Sequence, residues 1–164
     1  MKCILSLLFF AIVSIFSFIS CNDKKFNNLQ NQVDSLKITI ENTYKPGLGE
    51  FMLAVQTHHA KLWFAGINKN WSLADFEVGE IKETLNNAIK FLPERSETKD
   101  IPMIFPVLDS LYADIKNENL AKFTTHFNAL TKNCNECHHA VGFDFNKIKI
   151  PTSEPVSNQE FKQR

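Results

Sequence analysis

Residues 120–141 read LAKFTTHFNALTKNCNECHHAV, and this stretch decides the fold. Leu120, Phe123, Phe127, Leu130, Cys134, Cys137 and Val141 recur at three- and four-residue steps, the spacing that lays one apolar face along an α-helix. Within that helix Cys134, Cys137 and His138 form C-x-x-C-H, the spacing of haem c attachment. Two thiols three residues apart can each add to a haem vinyl group while the adjoining imidazole reaches the iron as proximal ligand. The cysteines fall on core positions and His138 lies one turn past Cys134, so a covalent haem c is expected inside a helical bundle rather than on a surface loop.

Two other chemistries share the C-x-x-C spacing. A structural zinc site needs a second ligand pair at comparable spacing, and only His126 and His139 stand near, placed where recruitment would cause strain. A thioredoxin-like dithiol wants a βαβ context with a helix opening at the first cysteine, whereas this pair sits inside a helical run.

The remaining two of the four cysteines lie near the N-terminus. Met1-Lys2, an apolar run to Phe18, then Ile19-Ser20-Cys21 read as a signal peptide over residues 1–20, which would take Cys3 with it. Phe18-Ile19-Ser20-Cys21 resembles the lipobox of bacterial lipoproteins, which implies that Cys21 becomes the acylated N-terminus of the mature chain. The competing reading is a retained transmembrane anchor, for which the apolar run is long enough. Either reading places the rest of the chain outside the bacterial cytoplasm, tethered to a membrane on the periplasmic or outer-membrane side. Haem thioethers are formed in that compartment.

Charge is balanced, with 18 Lys and Arg against 18 Asp and Glu, and no basic block emerges; nucleic acid is therefore not an expected partner. The 15 phenylalanines suit a helical core with or without haem.

Outward from the motif, the chain reads as helices and almost no strands. Residues 21–46 form a polar spacer in which Phe26, Leu29, Val33, Leu36 and Ile40 keep an a/d seam. It is expected as a short coiled-coil stalk, leaving room for a homo-oligomer, or else as an amphipathic helix on the domain or a disordered spacer. Pro46-Gly47 ends it. A four-helix domain over residues 47–142 follows. Its first helix runs from about Leu48 to Ala65, stopped by Gly66 and Asn68-Lys69-Asn70. The second opens with Ser72 as N-cap and Asp75 behind it, carries Phe76, Ile81, Leu85 and Ala88 inward and ends at Leu92-Pro93. The third has Pro102 and Pro106 near its first turns and an Ile104, Leu108, Leu111, Ile115 stripe. The fourth is the motif helix, from near Asn119. Residues 143–164, with their prolines, are expected as an extended tail wrapping the bundle.

An all-α four-helix bundle with C-x-x-C-H in its last helix resembles the class II cytochromes c, cytochrome c-prime and cytochrome c-556, over about Leu48 to Val141. Separately, His59-Ala60-Lys61-Leu62-Trp63-Phe64-Ala65-Gly66 with Asn70-Trp71, the Cys134–His138 run, and Pro155-Val156-Ser157-Asn158-Gln159-Glu160-Phe161 are similar to a group of bacterial haem-binding proteins of the cytochrome c family. The second similarity implies haem binding and no reaction. The N-terminal spacer and the tail after Gly142 depart from both patterns.

The sixth position on the iron remains open in the sequence. In an up-down-up-down bundle the start of the first helix faces the end of the last, where His138 lies. Met52, His58 and His59 are the candidates there; Met52 and His59 are about 10 Å apart along one stripe, so only one of them can be a ligand. The class II resemblance favours Met52, with His59 the alternative. Trp63 and Trp71 read as packing or turn anchors. No nucleophile with an adjacent base and no carboxylate pair stands out, so the expected role is a one-electron carrier working with redox partner proteins of the envelope, not an enzyme. A five-coordinate haem protein binding a small gas and a non-haem lipoprotein adaptor are the alternatives.

Overall fold

The computed structural model describes residues 24–43 and 45–163, and the expectations for the signal peptide, Cys3 and Cys21 lie outside them. The chain divides into two units between Lys45 and Pro46. In the first, helix α1 covers residues 24–41. Its Phe26, Leu29, Val33, Leu36 and Ile40 are all exposed. Among the described residues no helix is long and apolar enough to cross a membrane.

The second unit is built on α2 (Leu48–Ile67), α3 (Trp71–Phe91), two 3-10 turns (Ser96–Lys99 and Ile101–Ile104), α4 (Phe105–Lys116) and α5 (Leu120–Ala140). The described residues are thus all-α, five helices and no strand, compatible with a helical bundle. Each helix of this unit contributes one stripe to a common core. From α4 come Leu108, Leu111 and Ile115, and from α5 Phe123, Phe127, Leu130 and Cys137. Helices α2 and α5 run antiparallel: His59 meets Thr131 and Phe127, and the later Trp63 meets the earlier Phe123.

Helix α3 departs from the expected register. Its cap is Asn70, whose side chain accepts the Leu73 N–H, and Ser72 lies inside the helix. The buried stripe is Ala74, Val78, Ile81, Leu85 and Ala88, a four-three-four-three rhythm. Phe76, two residues from either Ala74 or Val78, therefore points outward and is exposed, against the expectation that it faces the core. Gly66 does not stop α2 but sits inside it, buried, because a Cβ there would lie 2.0 Å from the Phe123 ring. The turn comes at Lys69, which takes the left-handed conformation (φ 57°). Pro102 belongs to the second 3-10 turn and only Pro106 opens α4, so the expected third helix is split before Phe105.

Two buried carboxylates fasten neighbouring helices. Glu77 of α3 accepts from His58 Nδ1 of α2 at 2.6 Å, and Asp114 of α4 pairs with His126 of α5. After Gly142 the chain carries neither helix nor strand to residue 163, yet Phe161 is fully buried against Phe64 at 5.8 Å between ring centroids. Residues 143–163 are turns, bends and irregular chain, and Phe161 near their end packs on α2.

Candidate functional site

The core changes character along the α2–α5 pair. At one end Trp63, Phe123 and Phe127 pack ring on ring, with centroids 4.9 to 6.5 Å apart, and Trp71 adds an edge contact to Phe123 at 6.1 Å. Both tryptophans are packing residues in this structure. At the other end the α5 stripe continues with smaller side chains, and a cavity of about 300 Å³ opens between the helices. Met52, Ile81, Leu85, Ile104 and Leu130 give it an apolar wall, and Cys134, Cys137 and His138 stand on it. A second lobe of about 150 Å³ shares Met52, Cys137 and His138 and reaches Arg95 at its rim.

The two cysteines are free rather than disulfide-bonded. Burial pushes the Cys134 thiol up to about 12, with the Cys137 sulfur adding to the effect, and burial raises Cys137 as well. Both are thus neutral thiols at ordinary pH and poor disulfide-exchange nucleophiles. Among the described residues no group of three or more His, Cys, Asp and Glu side chains is arranged to hold a metal ion. His126 is engaged by Asp114, and His139 by Asp144 at 2.5 Å, whose carboxylate raises its pKa. Among the described residues a four-ligand zinc site therefore has no second pair.

His138 is held in one orientation. Its Nδ1 lies 2.5 Å from the Asn146 carbonyl oxygen, so Nδ1 carries the proton and donates, leaving the Nε2 lone pair unprotonated. The segment that supplies this carbonyl is itself pinned to the motif. The Asn135 side chain donates to the Ile148 carbonyl at 2.9 Å and accepts the Ile148 N–H at 2.8 Å, reading that residue's backbone as a neighbouring strand would. Residues 144–148 thus clamp the outside of the C-x-x-C-H turn. The sequence reading missed this clamp. Its only signal was the apolar spacing of Ile148 and Ile150 just before Pro151, together with an Asn at the first variable position of the motif.

The three ligand candidates of α2 separate clearly. Met52 and His59 line the cavity. His58 instead is engaged by Glu77, with Glu80 3.8 Å from its other ring nitrogen. His59 is buried at the floor, its ring 4.5 Å from that of Phe127. The Thr131 hydroxyl donates to the Phe127 carbonyl at 3.0 Å, so it accepts from His59 Nε2–H at 2.9 Å. Burial drops the His59 pKa to about 4, which keeps the ring neutral. Met52 thus offers a thioether to the cavity, and His59 the Nδ1 lone pair that its bond to Thr131 leaves over.

Comparison with family models, with characterised proteins and with solved structures found no match to this chain.

Proposed function

We propose that the protein is a membrane-tethered monohaem c-type cytochrome that passes single electrons in the bacterial cell envelope. One observation carries the reading: the C-x-x-C-H run stands on the wall of an apolar cavity with the imidazole of His138 fixed by Asn146 so that its Nε2 is left as a ligand. The residues fit a haem c. Cys134 and Cys137 would each add an S–H across a vinyl double bond, sulfur to one carbon and hydrogen to the other, with no oxidant consumed. Neutral buried thiols are compatible with that addition and unsuited to the dithiol-exchange alternative. The bundle would then be of the four-helix cytochrome type, with haem c held by its last helix.

His138 would hold the iron, and the surrounding Ile81, Leu85, Ile104 and Leu130 would exclude water from the bound group. The bound haem supplies the one-electron chemistry. Met52, which lines the cavity together with the motif, would be the sixth ligand; His59, which spends its Nε2–H on Thr131 and keeps the Nδ1 lone pair, is the alternative. The tether is Cys21, acylated after removal of residues 1–20, and the partners are redox proteins of the envelope.

The decisive measurement is an absorption spectrum of both oxidation states, with haem staining on denaturing gels. Haem should remain with the polypeptide after denaturation, and Cys134→Ser with Cys137→Ser should abolish it; an unmodified mass from a host that matures other c-type cytochromes would overturn the proposal. Met52→Ala should turn low-spin iron high-spin and admit carbon monoxide, while His59→Ala should leave ligation intact. If the unaltered protein already binds carbon monoxide, the five-coordinate gas-binding role replaces electron transfer. The tether is tested separately, by whether Cys21→Ala releases the protein from membranes.

A further inference from the structure

Helix α1 carries its apolar residues where no described residue of its own unit covers them. Phe26, Leu29, Val33, Leu36 and Ile40 are between 50% and 66% exposed, and they step 3, 4, 3, 4 along residues 24–41. Steps of that kind average 3.5 residues, the repeat that keeps a seam facing one partner when two helices supercoil. Taking Phe26 as position a places Phe26, Val33 and Ile40 at a and Leu29 and Leu36 at d. β-branched Val33 and Ile40 at a, with Leu at both d positions, is the arrangement that favours two parallel strands.

The flanking positions agree. Lys25, Gln32 and Thr39 occupy g, and Gln30 and Lys37 occupy e. A parallel in-register pair sets Lys25 beside Gln30 and Gln32 beside Lys37 of the other copy, so no like charges meet. Gln30 is bonded to Asp34 at 3.1 Å and Gln32 to Asn28 at 3.0 Å, which orders the polar shoulders of the seam within one helix. An isolated helix of this length is marginal in water, and a partner that buries the seam supplies the missing stabilisation.

We infer that α1 is the dimerisation element of the protein: its seam packs against α1 of a second copy, parallel and in register. The partner is another chain of the same sequence. The inference is independent of haem binding, because it uses only residues of the first unit.

The test uses the full-length chain, solubilised and purified, with sedimentation to measure self-association. A concentration-dependent dimer is expected. Leu29→Ala with Leu36→Ala, which removes the d layer while keeping helix propensity, should weaken it by about a hundredfold or more. Ile38→Ala is the control, since Ile38 is as exposed as the seam residues but lies at f, away from it; the dimer should survive. Ile40→Cys should give an interchain disulfide on mild oxidation, which needs like residues side by side and so reports parallel register. A monomer at all concentrations overturns the inference, as does a dimer insensitive to the Leu changes or equally sensitive to Ile38→Ala. A dimer without the Ile40→Cys crosslink overturns the parallel register. Binding of the monomer to lipid vesicles through the same residues would assign the seam to a membrane surface instead.

Discussion

Where Trp63 of α2 meets Phe123 and Phe127 of α5, aromatic rings fill the space between the helices; where Met52 and Val55 meet Cys134 and Cys137, three turns further along the same pair, a cavity of about 300 Å³ remains. The helices do not change; the side chains do. Phe gives way to Leu and then to Cys along the α5 stripe, and the α2 face changes from Trp to His, Val and Met. Native interiors are packed to crystal-like density, so the end where the stripe loses volume is the end where the core leaves space. His59 stands at the boundary, its ring on Phe127 and its other side on the cavity.

The largest test of this contrast is Phe123→Ala. Phe123 is fully buried among three aromatic neighbours, and removing its ring should lower unfolding free energy by about 3–5 kcal/mol in a denaturant titration. A cost no greater than that of Leu130→Ala, made at the cavity wall, would show that the two ends are packed alike. Next is the boundary itself. His59 is held neutral, with its pKa dropped from 6.5 to about 4, whereas the unfolded chain protonates it at the ordinary value. Its contribution is therefore complete above pH 6.5 and is lost as pH falls toward about 4, by about 3 kcal/mol in all. His59→Gln, which keeps a donor for Thr131, should flatten the stability profile in that window; an unchanged slope would mean that the ring is not buried in the folded state.

Gly66→Ala probes the filled end from the other helix. Its new methyl would meet the Phe123 ring, which has no room to retreat, and about 2 kcal/mol should be lost despite the gain in helix propensity. The smallest expected effect on stability sharpens the comparison most. Leu130→Phe extends the aromatic stripe into the cavity, so the unloaded chain should unfold within about 1 kcal/mol of the parent, while under the proposed function its covalent haem content should fall sharply. Normal haem loading in that variant would place the haem elsewhere.

Much of this was legible before any coordinates. The α5 stripe, the core residues of α4 and the opposition of Met52 to the motif follow from periodicity and antiparallel packing, because a long helix with a clean apolar rhythm has only one face to bury. The misreadings arose where two local signals competed. Ser72 and Asp75 look like a cap, but Asn70 two residues earlier wins, and the shift carries Phe76 to the outside. Gly66 reads as a stop although it is an allowance for Phe123, a contact between residues far apart in sequence that no local pattern records. The clamp formed by Asn135 and residues 144–148 was hidden for the same reason: one amide pairing with one backbone unit leaves no periodicity to detect.

Phe161 carries a consequence for timing. Its ring closes over Phe64, so α2 waits for a residue 97 positions later in the sequence before that part of its surface is covered. Contacts of such long sequence separation form late, after the costly loop has been closed. Phe161→Ala should therefore uncover that part of α2 while leaving the helices in place.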